Sequence, residues 1–367
     1  MRTTLLILLA MRLTVPGHVA AQDRAAPVRV ILFVADGAGA GHWGIASWAL
    51  ERPAVMQFPV AGLVDTQGAD HVVTGSAAAA TALAIGVRTS RGALGVDRNG
   101  QPHETAFEAA RAHGRATGLI TTTSIVDATP AAFITHSRTR RDWPMIFADY
   151  ARFQPEVMLG GGRAILSGSF GRGRADGSAI RNGYTYVTTA DALRALDLSH
   201  TDRLLGLFTD GDLPLAPERD PSLAGLTDAA LHVLGRDPDG FLLLVEQEET
   251  DTQAHRNAGI DTLTREMLAL DDAIQTALRY REDHPETLIV VTADHETGGL
   301  SVRGDYTGEP GDIALYYHTT GHTAEPVPIF AIGPGAQMFG GFIRNDDVGR
   351  HLLAIVRGEV RPTGHER

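Results

Sequence analysis

An α/β sandwich of layers is the fold this sequence predicts, and three observations predict it. Apolar runs of strand length recur along the chain, their hydrophobicity is continuous rather than alternating, and segments of helical character lie between them. Continuous hydrophobicity marks strands buried on both faces, as in a parallel sheet. Alternation of the two element types is the pattern of an α/β domain.

Taken in order, the strand runs are VRVILFVA at 28–35, ATGLITTT at 116–123, PEVMLG at 155–160, FLLLVE at 241–246, TLIVVTA at 287–293 and PVPIFAIG at 326–333. The helices between them are ETAFEAARAHG at 104–114, DTLTREMLALDDAIQTALRY at 261–280 and DVGRHLLAIVRG at 347–358. In VTGSAAAATALAIG, 73–86, Ser76 precedes an alanine-rich stretch free of proline, so it reads as the N-cap of a good helix former. The segment 163–225, rich in Gly, Asp and Arg, predicts surface loops or an insertion. No internal repeat, low-complexity tract or clean domain boundary interrupts the chain.

Composition excludes several classes of function. The formal charge of −12 arises from 44 acidic against 32 basic residues, and no basic run could track a phosphate backbone, so nucleic acid is not a dedicated partner. The first residues join a charged start, a short apolar run at 5–11 and small residues near Ala20 and Ala21, which reads as a secretory signal over 1–22. An unstructured or mis-started N-terminus is the alternative. With no cysteine there are no disulfides and no lipid anchor on a cysteine, and no other segment is long and apolar enough to anchor the chain in a membrane.

The chemistry shows in where acids and histidines fall. Asp36 follows the first strand run, Glu246 ends the fourth with Asp251 and His255 just beyond, Asp294 and His295 end the fifth, and His322 precedes the last. Ligands of an open α/β sheet bind beyond the carboxyl ends of its strands, so these residues converge on one rim. Each alone has a plain explanation as a turn residue, a helix cap or a solvated helix end. Together they read as a metal site, with imidazole and carboxylate suiting zinc and all-oxygen ligation suiting magnesium.

The pieces VADGAG, VTGSAAAATALAIG, DATPAAFITHSRTR, VEQEETDTQAH, TADHETGG and GHTAEPVPIFAIG run in this order from about 28 to 335, and with them the chain resembles the alkaline phosphatase family. The resemblance implies a three-layer sandwich, a central mostly parallel sheet with helices on both faces, forming one catalytic domain over 23–367. It implies two zinc ions, one magnesium ion and hydrolysis of small-molecule phosphate monoesters through a serine that is transiently phosphorylated. By position, Ser76 is the nucleophile; Asp251, His255 and His322 hold the first zinc; Asp36, Asp294 and His295 hold the second. Asp36, Thr129 and Glu246 take magnesium, Asp127 fixes its waters, and Arg140 grips the phosphate. A periplasmic or secreted location follows from the leader, and a homodimer from the habit of the relatives.

These residue types suit that chemistry. A serine hydroxyl is a weak nucleophile until a metal activates it, and a paired metal site steadies the attacking and leaving oxygens of an in-line displacement. Arginine presents a planar fork to two phosphate oxygens, and a helix start behind Ser76 favours the same anion.

The chain departs from the family at four points. Gly75 stands where the bacterial archetype has an aspartate that tethers the arginine, Thr252 replaces a lysine or histidine common there, Asp127 is retained where other members carry histidine, which favours magnesium over a third zinc, and disulfides found in some relatives are absent. His318 competes with His322 for the zinc position, the GHT triplet favouring His322. His42, His71, His103, His113 and His136 read as surface or packing residues. A phosphodiesterase or sulfatase of the same superfamily and a non-catalytic metal or phosphate scavenger are the other readings of the pattern.

Overall fold

The computed structural model describes residues 27–50, 52–166, 181–304 and 313–360, and the leader read over 1–22 lies outside them. In chain order the strands are β1 (Val28–Ala35), β2 (Val60–Asp65), β3 (Ala116–Ser124), β4 (Val157–Gly161), β5 (Thr185–Val187), β6 (Leu204–Leu207), β7 (Gly240–Gln247), β8 (Thr287–Thr292), β9 (Glu296–Thr297), β10 (Ser301–Gly304), β11 (Ile313–Tyr316), β12 (His322–Thr323), β13 (Val327–Ile332) and β14 (Gly341–Arg344). The α-helices are α1 (Ala40–Ala49), α2 (Ser76–Ile85), α3 (Ala106–Ala112), α4 (Ala128–Ala132), α5 (Trp143–Phe153), α6 (Arg163–Leu166), α7 (Ala190–Arg194), α8 (Leu223–Leu234), α9 (Glu249–His255), α10 (Ile260–Asp283) and α11 (Asn345–Val356).

Ten strands form one sheet in the order β14-β2-β13-β8-β1-β7-β3-β4-β6-β5. Among them β13 runs antiparallel to β2 and β8, and the remaining pairs are parallel. Helices α2, α3, α4 and α11 pack together as one layer, and α1, α8, α9 and α10 as the other. The central strands β1, β3, β7 and β8 are therefore covered on both faces and buried almost throughout, which is the physical origin of their continuous hydrophobicity.

Two departures from the sequence reading have simple causes. The segment 163–225 is not only loop: β6 pairs with β4 and β5 with β6 at one edge of the sheet. Strands of 4 and 3 residues carry too little periodicity to read. Ser76 is not an N-cap. Gly75 takes the cap position with extended backbone, and Ser76 is the first residue of α2 with no capping bond from its side chain. Its hydroxyl is thus free of structural duty. The alanines behind it serve close packing, since α11 crosses so near that a Cβ on Gly349 would lie 2.2 Å from the Ala82 carbonyl oxygen.

Candidate metal centre

Sheet register brings the acids to one level. Glu246 on β7 pairs with Val34 on β1 and with Thr121 on β3, and Val34 pairs with Thr292 on β8. Asp36 is therefore two residues beyond this row, and Asp294 likewise. Asp36 is held by its backbone, donating N–H to Gln247 O at 3.0 Å while its carbonyl accepts the Thr250 hydroxyl at 2.6 Å. At Gly37 the chain turns with φ +71°, and a Cβ would sit 2.7 Å from Asp251 Oδ1. Only glycine fits there without strain.

A first group forms around α9, whose helical spacing puts Asp251 and His255 on one face. His255 Nε2 lies 3.2 Å from Asp251 Oδ2 and 3.0 Å from His322 Nε2, and His322 Nε2 lies 3.6 Å from Asp251 Oδ1. The far ring nitrogens are occupied: His255 Nδ1 meets Thr320 O at 2.6 Å and His322 Nδ1 meets Thr74 O at 2.8 Å. A carbonyl can only accept, so each Nδ1 carries the proton and each Nε2 aims at the centre. The hydrogen bond to Asp251 lifts His255 to about 9. Burial works to raise Asp251, but His255, His295, Thr297 and His322 outweigh it and hold the carboxyl at about 2.

A second group joins Asp36, Asp294 and His295, all buried, with His295 Nε2 3.5 Å from Asp36 Oδ1 and 3.2 Å from Asp294 Oδ2. Asp294 Oδ1 accepts the N–H groups of Gly37 at 3.2 Å and His295 at 2.9 Å. Its Oδ2 and Asp36 Oδ1 have no hydrogen-bond partner. Burial lowers His295 to about 4, raises Asp294 to about 6 and, reinforced by Asp294, Asp251, Glu246 and Glu248, raises Asp36 well above the carboxylate range. His295 also closes a group with Asp251 and His322. Ser76 Oγ stands 3.4 Å from its Nε2.

An all-oxygen locus adjoins this. Glu246 and Thr129 are fully buried, and Glu246 Oε1 and Thr129 Oγ1 are unpartnered, while Glu246 Oε2 accepts the Thr121 hydroxyl. Burial raises Glu246 to about 8. Asp127, which precedes α4, accepts from Arg140 Nη2 at 2.6 Å.

This donor set fits divalent ions. Buried carboxylate oxygens without donors and imidazole nitrogens facing one another are costly to hold in a dry interior unless a cation lies among them. The nitrogen-containing groups suit zinc, and the oxygens of Asp36, Glu246 and Thr129 suit a harder ion.

Of the site residues named from the sequence, these contacts bring together Asp36, Ser76, Asp251, His255, Asp294, His295 and His322, and pair Arg140 with Asp127. His318 is exposed and belongs to neither convergent group. His42, expected on the surface or in packing, is fully buried in α1 with no partner for either ring nitrogen. The sequence reading missed the residues that hold the ligands: Thr297, whose hydroxyl donates to Asp251, and Glu296, which accepts from the Thr323 hydroxyl, Gly299 N at 3.1 Å and Leu300 N at 3.0 Å. Glu296 thereby ties the stretch after His295 to the strand bearing His322. Its place beside His295 in TADHETGG was the available signal. The carbonyls of Thr74 and Thr320 gave none, because any residue supplies a carbonyl.

The alkaline phosphatase family model matches residues 29–314. The chain is 31% identical to alkaline phosphatase of Escherichia coli K12 over 82% of this chain and 77% of that one. It is 32% identical to streptomycin-6-phosphate phosphatase of Streptomyces griseus over 88% and 89%. The solved alkaline phosphatase of the Antarctic bacterium TAB5 superposes with a TM-score of 0.81 at 29% identity, over 90% of this chain and 98% of that one.

Proposed function

The chain belongs to the alkaline phosphatase family and is a phosphomonoesterase, and from that premise we propose a reaction centred on Ser76 at a site for two zinc ions and one magnesium ion. Asp251, His255 and His322 hold the first zinc, Asp36, Asp294 and His295 the second, and Asp36, Thr129 and Glu246 the magnesium. When bound, these ions supply Lewis-acid activation and charge for the attacking and leaving oxygens.

The chain's own groups do the rest. Ser76 Oγ attacks phosphorus, the P–O bond to the alcohol breaks with its electron pair leaving on the alcohol oxygen, and the proton that the Ser76 hydroxyl gives up to water is matched by one that the leaving oxygen takes up from water. Attack by water on the phosphoserine then releases inorganic phosphate and restores the hydroxyl. Arg140 offers its fork to two non-bridging oxygens. The start of α2, 10 residues long, presents backbone N–H groups and a favourable dipole to the same anion.

One observation carries this reading: His295, which closes a group with Asp36 and Asp294 and another with Asp251 and His322, has its Nε2 3.4 Å from Ser76 Oγ. Asp127 supports magnesium in the third place, since a TAB5 variant with aspartate in place of histidine is described with Mg bound in the M3 site. The leader at 1–22 supports a periplasmic or secreted location.

The test is turnover of p-nitrophenyl phosphate by protein loaded with zinc and magnesium, with acid-quenched reactions searched by mass spectrometry for phosphate on Ser76. Metal content of two zinc and one magnesium per chain with a labelled Ser76 is the expected result. Correctly loaded protein that turns over nothing, or carries phosphate elsewhere, overturns it.

A further inference from the structure

The loop between β2 and α2, residues 66–75, delivers Ser76 to the rim, and one side chain in it is held on three sides. Gly68 N donates to His71 O at 3.0 Å and Ala69 N to Thr89 O at 3.0 Å, which closes the turn. The His71 ring lies so close to Gly68 that a Cβ there would stand 2.2 Å from its Cε1. His71 Nδ1 meets Asp70 Oδ1 at 2.6 Å, and Asp70 Oδ2 accepts the Ser90 hydroxyl at 2.7 Å. His71 Nε2 lies 3.3 Å from Thr74 Oγ1. A histidine expected on the surface or in packing thus has both ring nitrogens engaged.

Chemistry sets the direction of these bonds. A carboxylate only accepts, so His71 Nδ1 carries the proton, and the neutral ring presents Nε2 as an acceptor to the Thr74 hydroxyl. Thr74 is fully buried, where a hydroxyl is costly to leave without a partner. The carbonyl of the same residue accepts His322 Nδ1 at 2.8 Å, the bond that turns His322 Nε2 toward Asp251 and His255. Gly75, the next residue, faces the His322 ring, and that ring stacks on His295 with centroids 3.6 Å apart. Thr74 therefore orients one ligand through its carbonyl and stands two residues before the nucleophile, and its hydroxyl is bonded to His71.

We propose that His71, braced by Asp70, is a positioning residue for the first zinc group: by holding Thr74 it fixes the carbonyl that aims His322. Its effect on the ion runs through Thr74 and His322, so it tunes the affinity of one zinc and not of the other. This rests on the reading of Asp251, His255 and His322 as zinc ligands.

The experiment is competition for zinc between full-length protein and a chromophoric chelator, which resolves the two zinc affinities, with melting of the metal-free protein measured alongside. His71→Asn keeps a donor toward Asp70 and removes the acceptor at the Nε2 position. It should weaken one zinc by about tenfold, the low end of the effect of removing a group that orients a metal ligand, and leave the other unchanged. His71→Gln, whose Oε1 reaches the Nε2 position, should recover most of that loss. Thr74→Val removes the donor of the same bond, should show the same selective loss, and covers a His71 variant that folds poorly. Combined with His71→Asn it should cost no more than either change alone, because both remove one interaction. Zinc affinities equal to wild type in both single variants overturn the proposal, as do losses that add in the double variant. Equal weakening of both zinc ions with a lower metal-free melting temperature overturns it too, since His71 would then only support the loop. Wild-type protein that binds fewer than two zinc ions overturns the underlying site reading instead.

Discussion

Arg140 Nη2 donates to Asp127 Oδ1 at 2.6 Å, so the arginine proposed to grip the phosphate is tethered from the residue that precedes α4 rather than from the residue before Ser76. Gly75 offers no side chain there. Asp127→Asn should therefore raise both KM for p-nitrophenyl phosphate and the inhibition constant of inorganic phosphate by about tenfold, the worth of one charge-assisted bond. The pair is about one-third exposed, so melting should move little. Adding Gly75→Asp should recover part of the affinity, since a Cβ there meets only the His322 ring, at ordinary distances of 3.5 and 3.6 Å. Unchanged phosphate inhibition in Asp127→Asn would show that the tether does not position Arg140.

Ser76→Ala separates chemistry from folding. The side chain makes no capping bond, so stability should stay within about 0.5 kcal/mol, while turnover should fall by more than about 1000-fold. Thr105→Ala is the contrast: Thr105 heads a capping box with Glu108 on α3 and donates to the buried Phe133 carbonyl at 2.7 Å. It should cost about 1–2 kcal/mol with Ser76 chemistry intact. Calorimetric melting and p-nitrophenyl phosphate rates on the same preparations check both, and a destabilised Ser76→Ala would return the serine to a structural role.

What the sequence made legible divides along physical lines. The central strands were legible because burial on both faces leaves an unbroken apolar run, as in VRVILFVA and FLLLVE. Strand β2, second from the edge, was not, because its run of 6 residues is broken by Gly62 and closed by Asp65, and of it only Val64 is buried. Likewise the ligands were legible because carboxylates and imidazoles at strand ends are rare in combination. Their supports were less so: a threonine hydroxyl such as Thr297, or a carbonyl such as Thr320, becomes specific only when the fold places it against a ligand. Ser76 shows the limit most clearly. Its residue type fitted both a cap and a nucleophile, and only the backbone at Gly75 separates the two.

Gly37→Ala should dismantle the first zinc group from a distance of one Cβ. The position combines φ +71° with a predicted approach of 2.7 Å to Asp251 Oδ1 and 2.8 Å to Thr297 Oγ1. Strain of about 1–3 kcal/mol is expected from the backbone alone. Relieving the contact displaces Asp251 and the hydroxyl that holds it. Zinc per chain, measured by elemental analysis, should fall toward one, with activity lost in proportion. A variant with full zinc content would show that the loop can shift without moving Asp251.

Removing the ions should give the protein a pH dependence that the loaded form lacks. Burial raises Glu246 to about 8, Asp294 to about 6 and Glu248 to about 9. Each then holds its proton in the folded chain at pH values where the unfolded chain has lost it, so stability falls as pH rises toward the folded value. His255, raised to about 9 by its bond to Asp251, contributes stability that is complete below its ordinary value near 6.5 and lost as pH rises through about 9. Asp251, held at about 2 against the effect of burial, loses its contribution only in strong acid and stays constant across this window. His295, lowered to about 4 by burial, opposes the trend only below about 6.5. Above that value nothing in this set offsets the decline, so the chelated protein should melt progressively lower between about pH 7 and 9. Metal binding requires the same groups deprotonated, so the gain in Tm from zinc and magnesium should widen over that range. Melting scans with chelator and with both ions check this, and a chelated Tm that is flat or rising with pH would mean that these buried acids do not titrate with the fold.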